Sequence, residues 1–220
     1  MSVKVPNKWD NIELRKFVHY CDYIGEEPET IEERFELIYK KACALLDVSL
    51  ADAKKLTVKQ QADIVKLAKK PMPMYLKVRF KHKGIRYRPI GSKHSIVDAR
   101  ELDGDRYSAI KALAKKGTSE NLHQILYLVC EPIKYGFKKS FPFIGWNRVE
   151  MDASQVEQGI KDFKDLPMKV ANPLIVFFLT LSKRLSVLLK DYSIQTLNGM
   201  TKEMKELQAD LEKDMDGLQS

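Results

Sequence analysis

Between Ile64 and Val97 the sequence holds ten basic residues and no acidic one, and inside that window the hydrophobic period changes from helical to alternating. Pro71 and Pro73 close the helical part, because proline lacks the donor a helix needs and restricts the residue before it. From Tyr75 to Ile90, Leu76, Val78 and Phe80 alternate with Lys77, Arg79 and Lys81. Past Lys83-Gly84, Ile85 and Tyr87 alternate with Arg86 and Arg88. Strands place successive side chains on opposite faces, so the pattern predicts a β-hairpin with a two-residue turn at Lys83-Gly84. Its register sets Phe80 against Tyr87 and Val78 against Pro89, with Lys81 against Arg86 and Arg79 against Arg88. One face is then apolar and the other uniformly cationic, and a slip of one residue would mix them. Like charges directly opposite are unfavourable, so the cationic face calls for solvent, salt or an anionic partner. Taken alone, the hairpin offers no amides or aromatics there to read or stack bases.

The formal net charge is +8 and the window supplies +10, so the remaining chain sums to −2. Such concentration sets a local field rather than a diffuse one. At 220 residues, 44% hydrophobic and 31% charged, the chain is expected to be globular with a sizeable core. Cys21, Cys43 and Cys130 are odd in number and lie in helical patterns, which reads as reduced thiols rather than a disulfide framework. The most apolar run, Pro173–Leu181, falls far short of the roughly 20 residues a membrane span needs. Met1–Asp10 lacks the apolar segment of a secretory signal.

Capping signals organise the rest. Asp10 with Glu13 predicts a helix to about Ile24, and Pro28 opens one to Leu46 with Ile31, Phe35, Ile38, Ala42 and Leu45 as its buried stripe. Ser49 caps a short turn, and Thr57 a helix to about Lys70 facing inward through Val58, Ala62, Val65 and Ala68. Further helices are expected at Asp105–Lys116, Ser119–Pro132, Asp152–Asp165, Asn172–Lys190 and Met200–Asp214. The aromatic segment Lys134–Val149 reads as a loop whose Tyr135, Phe137, Phe141, Phe143 and Trp146 pin it to the core, with docking of a partner as the competing use. The helix carrying Phe177, Phe178 and Leu181 is apolar nearly all round, so it is either central or buried by association. With Met204, Leu207 and Leu211 of the last helix, these residues are the expected protein interface.

No residue set announces a reaction. His19 and Cys21 fall on opposite sides of a helix, no Cys-x-x-Cys or His-Glu-x-x-His occurs, and no phosphate loop or nucleophile elbow is present. Asp103 and Asp105 are two acids in a loop, a weak Mg²⁺ signal, and His123 reads as a packing residue. No catalytic residue, metal ligand or cofactor is therefore expected.

The order of Trp9-Asp10-Asn11-Ile12-Glu13-Leu14, the helical Ala51–Lys70, Val78-x-Phe80 with Gly84-x-x-Tyr87, Asn121-Leu122-His123, and Leu166-Pro167-Met168 before Phe177-Phe178 resembles tailed-bacteriophage morphogenesis proteins. The resemblance implies a role in virion assembly, as a tail-assembly chaperone or a small structural component, in the host cytoplasm or the virion. It brings no catalytic residues. The basic excess departs from the neutral or acidic balance expected of such chaperones and leaves room for a component near packaged DNA.

The sequence thus predicts an α+β, mainly α-helical protein with one basic antiparallel β-hairpin. Its expected parts are a helical subdomain over 1–70, the hairpin over 71–97 and a helical region over 98–220, or one continuous domain. The expected partners are other phage proteins or a second copy, met without a membrane. The competing function is phosphate contact with nucleic acid, without sequence preference, through Lys77, Arg79, Lys81, Lys83, Arg86 and Arg88.

Overall fold

The computed structural model describes residues 4–75, 77, 79–93, 96–97, 102–137 and 144–184. The chain divides into two compact units at Leu179 and Thr180. Of the second unit, the described residues 180–184 are helical. The first unit is α+β and mostly helical, and its β part is a four-stranded antiparallel sheet rather than a lone hairpin.

Four helices lead into the sheet: α1 (Leu14–Cys21), α2 (Ile31–Leu46), α3 (Leu50–Ala53) and α4 (Val58–Ala68). The Asp10–Glu13 signal does not start a helix. Trp9–Asn11 is a 3₁₀ turn and Glu13 stays extended, without a capping hydrogen bond. Trp9 causes this: its buried indole packs edge-on against Phe17 and Tyr20 and donates to the Lys70 carbonyl at 3.2 Å. Pro28 lies outside α2, whose start is fixed by a reciprocal box between Thr30 and Glu33. Ser49 and Thr57 cap α3 and α4 as expected.

Two helix faces differ from expectation. In α2 the buried positions are Leu37, Ala42 and Leu45, while Ile31 is 67% exposed and Phe35 is also exposed. In α4, Ile64 and Leu67 are buried and Val58 is 81% exposed. In α2 the inward stripe is Leu37, Ala42 and Leu45, and in α4 it is Ile64 and Leu67; the apolar positions to one side of these stripes face outward.

The sheet order is β1 (Phe80–His82), β2 (Ile85–Pro89), β5 (Cys130–Phe137) and β6 (Ile144–Arg148). A separate pair joins β3 (Ser92–Lys93) to β4 (Ile96–Val97). The hairpin register is the expected one, with Phe80 opposite Tyr87 and Lys81 opposite Arg86. Lys83 and Gly84 both take left-handed backbone, φ 46° and 86°, which matches the right-handed twist of the flanking strands. Leu76 and Val78 lie outside the described residues.

Beyond the hairpin come α5 (Gly104–Lys116), capped by Asp103, and α6 (Leu122–Leu128). The expected helix Ser119–Pro132 therefore ends early. Arg106 collects the turn that follows, donating to the carbonyls of Leu128 and Cys130 at 3.0 Å each. Cys130 then opens β5, antiparallel to β2, with Tyr87 opposite Pro132 and Arg88 opposite Glu131. The aromatic segment is thus not a loop at its two ends: Tyr135 lies opposite Trp146 across the β5–β6 pair. Phe141 and Phe143 lie outside the described residues.

Helix α7 (Ala153–Asp162) carries the expected Asp152–Gln155 box and runs into a 3₁₀ turn at Phe163–Asp165. Residues 168–179 form α8, which starts four residues ahead of the expected Asn172. Its start is tied to the beginning of the fold. Leu14 N–H donates to Leu166 O and Met168 N–H to Ile12 O, both at 2.8 Å, around an antiparallel bridge of Glu13 with Pro167.

Phe163 is the centre of the core. Tyr87, Tyr127 and Phe80 meet its ring with centroids at 5.1, 5.3 and 6.3 Å, and all four are buried. One face of the hairpin is therefore sealed by α6, α7 and the 3₁₀ turn. Phe177, Phe178 and Leu181 are buried as well, in keeping with the central one of the two placements that their apolar pattern allows. Met204, Leu207 and Leu211 lie outside the described residues.

Candidate functional site

With one face of the sheet sealed, chemistry on the other is set by strand alternation. Arg79, Lys81, Arg86 and Arg88 fall there from the hairpin, and β5 and β6 add Glu131, Ile133, Tyr135, Trp146 and Arg148 to the same side. The uniformly cationic face expected of the isolated hairpin is thereby corrected in two respects.

First, it is partly neutralised. Arg88 forms an ion pair with Glu131, its direct cross-strand neighbour, and both side chains are mostly covered. Lys83 at the turn pairs with Asp165 at 3.5 Å. Lys77 is exposed just ahead of β1.

Second, it is aromatic. The guanidinium groups of Arg79 and Arg86 lie over the Trp146 ring at 4.9 and 5.1 Å from its centroid. Tyr135 meets the same indole edge-on at 5.2 Å and is itself 60% exposed. Each cation–π contact contributes about 0.5–1 kcal/mol at such a site. The repulsion between neighbouring cations is thus offset inside the molecule by the quadrupole of one indole. Lys81 remains exposed opposite Arg86.

A cleft of about 830 Å³ adjoins this face. Lys81, Arg86, Ile133, Tyr135 and Trp146 line it from the cationic side of the pleat, and Ile85, Pro132 and Lys134 from positions of opposite parity. Val149, Met151 and Gln155 complete it from the segment that leads into α7. Its walls are apolar and aromatic and its rim is lysine and arginine.

Of the two weak catalytic signals, one is a helix cap and the other borders a second cavity. Asp103 is the cap of α5, accepting from Arg106 N–H at 2.8 Å and pairing with the Arg106 guanidinium at 3.3 Å. His123 borders a second cavity of about 400 Å³ with His19, Asp22, Glu120 and Lys164. Burial, then the charge of Lys164, holds His123 below its ordinary value. Among the described residues, no group of three or more His, Cys, Asp or Glu is placed to share a metal ion. The three cysteines are free, and burial pushes the thiols of Cys21 and Cys130 up, Cys21 to about 11.

What the sequence does not bring together is the basic window and the aromatic segment, which are some 60 residues apart. The available signal was alternation around Tyr135 and Trp146, interrupted by Gly136 and Gly145, which here pair directly across the strands. Among the described residues no helix is long and apolar enough to cross a membrane. Comparison with family models, with curated proteins and with solved structures finds no match for this chain.

Proposed function

We propose that this chain is a non-enzymatic binding protein of virion assembly, holding a partner protein on the exposed face of its sheet. The observation that carries this is the stack of Arg79 and Arg86 on Trp146 with Tyr135 at its edge. Arginine, tryptophan and tyrosine are the side chains that concentrate binding energy at protein interfaces, because each combines a large apolar area with a directed polar tip. Stacking on the indole also orders the two guanidinium groups in advance, so less entropy is lost on contact. The resemblance of the motif order to tailed-phage morphogenesis proteins supports the same reading, toward partners among phage structural or assembly proteins or a second copy of the chain. The working location is then the host cytoplasm during assembly, or the virion.

Panning a displayed library of random peptides on the full chain tests this. Enrichment that disappears on the Trp146→Ala variant is expected. Equal retention by that variant, or no enrichment at all, would overturn the proposal.

A second reading is phosphate contact with nucleic acid, favoured by the exposed Arg79, Lys81 and Arg86 and by the exposed ring of Tyr135, a stacking platform the isolated hairpin lacks. Salt separates the two. Phosphate binding weakens with a slope of about −0.9 per neutralised phosphate on duplex DNA, whereas an apolar contact holds from about 50 to 200 mM.

A further inference from the structure

The cleft beside the sheet face joins two kinds of wall, and their combination narrows what fits. Ile133, Trp146 and Met151 give an apolar lining, while Lys81, Arg86 and Lys134 stand around it. The cleft, at about 830 Å³, is larger than a single phosphate needs and within the range that takes bulky side chains. We infer that it accepts an acidic peptide segment of the partner, with a bulky apolar side chain seated against Ile133 and Trp146 and flanking carboxylates on Arg79, Arg86 and the lysines. This rests on the reading of the sheet face as a protein-binding surface.

Two features favour an acidic peptide over a nucleic-acid strand. A guanidinium stacked on an aromatic keeps its N–H edges free in the plane, where a carboxylate is held by two parallel hydrogen bonds. A carboxylate therefore adds to the Arg79–Trp146–Arg86 stack without disturbing it. A base stacking where a guanidinium already lies over the Trp146 ring, at 4.9 or 5.1 Å, would first have to displace it. The charge distribution agrees, since the carboxylate beside the stack, Glu131, is already engaged by Arg88.

The test uses the full chain and four fluorescent probes in polarisation titrations at 100 mM salt. They are a twelve-residue peptide of Glu, Gly and Ser with two central Phe; the same peptide with Phe replaced by Ser; the same with Glu replaced by Lys; and a twenty-nucleotide oligothymidylate. The acidic Phe peptide is expected to bind at least tenfold tighter than each control, and to lose at least tenfold on Arg79→Gln/Arg86→Gln. Circular dichroism checks that variant. Lys81→Glu/Lys134→Glu, at two exposed lysines, gives the same loss if the arginine variant fails to fold. Equal binding of either control peptide, still lost in the variants, overturns the acidic–apolar inference and leaves the protein-binding reading standing. Oligothymidylate binding in place of every peptide overturns both. Silence from all four probes overturns the inference.

Discussion

Gly159 lies in α7 against the ring of Tyr127, and a Cβ added there would sit 2.6 Å from Cε2 and 3.1 Å from both Cζ and Oη. In an open helix, Gly→Ala gains about 0.5–1 kcal/mol through backbone entropy. Here the gain meets a ring that cannot step aside. Tyr127 is buried between Phe163 and Tyr87, at 5.3 and 6.3 Å, and its hydroxyl reaches the Met151 sulfur at 3.5 Å. Overpacking at such a site costs about 1–3 kcal/mol, so Gly159→Ala should destabilise by roughly 0.5–2 kcal/mol net. Urea unfolding followed by circular dichroism reads this as a midpoint fall of roughly 0.3–1 M, for a slope near 2 kcal/mol/M. In a Tyr127→Leu background the clash is gone and the same substitution should raise the midpoint. Stabilisation of the parent chain by Gly159→Ala, or the same effect in both backgrounds, would refute the clash with Tyr127.

Phe163→Ala should lose about 3–5 kcal/mol in the same assay, since the ring is fully buried at the junction of four aromatic partners; a loss under about 1 kcal/mol would deny it that central place. Thr30→Ala removes the side-chain arm of the α2 capping box, leaving the backbone N–H at position 30 to donate to Glu33, and should cost about 1 kcal/mol. His123 is held below its ordinary value by burial and by Lys164, so the folded state takes up its proton less readily than the unfolded one. Its stabilising contribution is present above the ordinary histidine value and is lost as pH falls through the depressed one. The urea midpoint should accordingly drop from pH 7 to pH 5, and His123→Gln should flatten the drop; unchanged slopes would refute the assignment. Iodoacetamide at pH 8 should leave Cys21 and Cys130 largely unmodified in the folded chain and label both in urea, because burial keeps each thiol protonated.

The hairpin was legible because three local signals agree in it: alternation, a Lys-Gly pair able to take left-handed backbone, and cations that cannot be buried. The extension of its sheet was hidden by residues that locally argue against strands. Pro132 stands inside β5, and Gly136 and Gly145 interrupt the two strands that hold Tyr135 and Trp146. What overrides these propensities is tertiary: β2 offers a ready edge, and Arg106 pins the carbonyls at the point where α6 turns into β5. Helix faces failed for a related reason. In α2 and α4 more than one apolar stripe is available, and only the neighbours decide that Leu37 and Ile64 go inward while Phe35 and Val65 stay out. The candidate face was half legible, since its cations lie in one window and its aromatics arrive from another.

The bridge of Glu13 with Pro167 sets a schedule for how the chain becomes a protein. Leu14 and Met168 each complete a backbone hydrogen bond with a strand segment some 150 residues away, so neither can form until nearly all of the first unit exists. At about 5–20 residues per second on a ribosome, the Trp9–Glu13 segment waits roughly 10–30 s for its partner. Through that interval Trp9 can already pack on Phe17 and Tyr20 of α1 and donate to the Lys70 carbonyl. The Glu13–Pro167 closure is a contact of long sequence separation, the kind that slows folding.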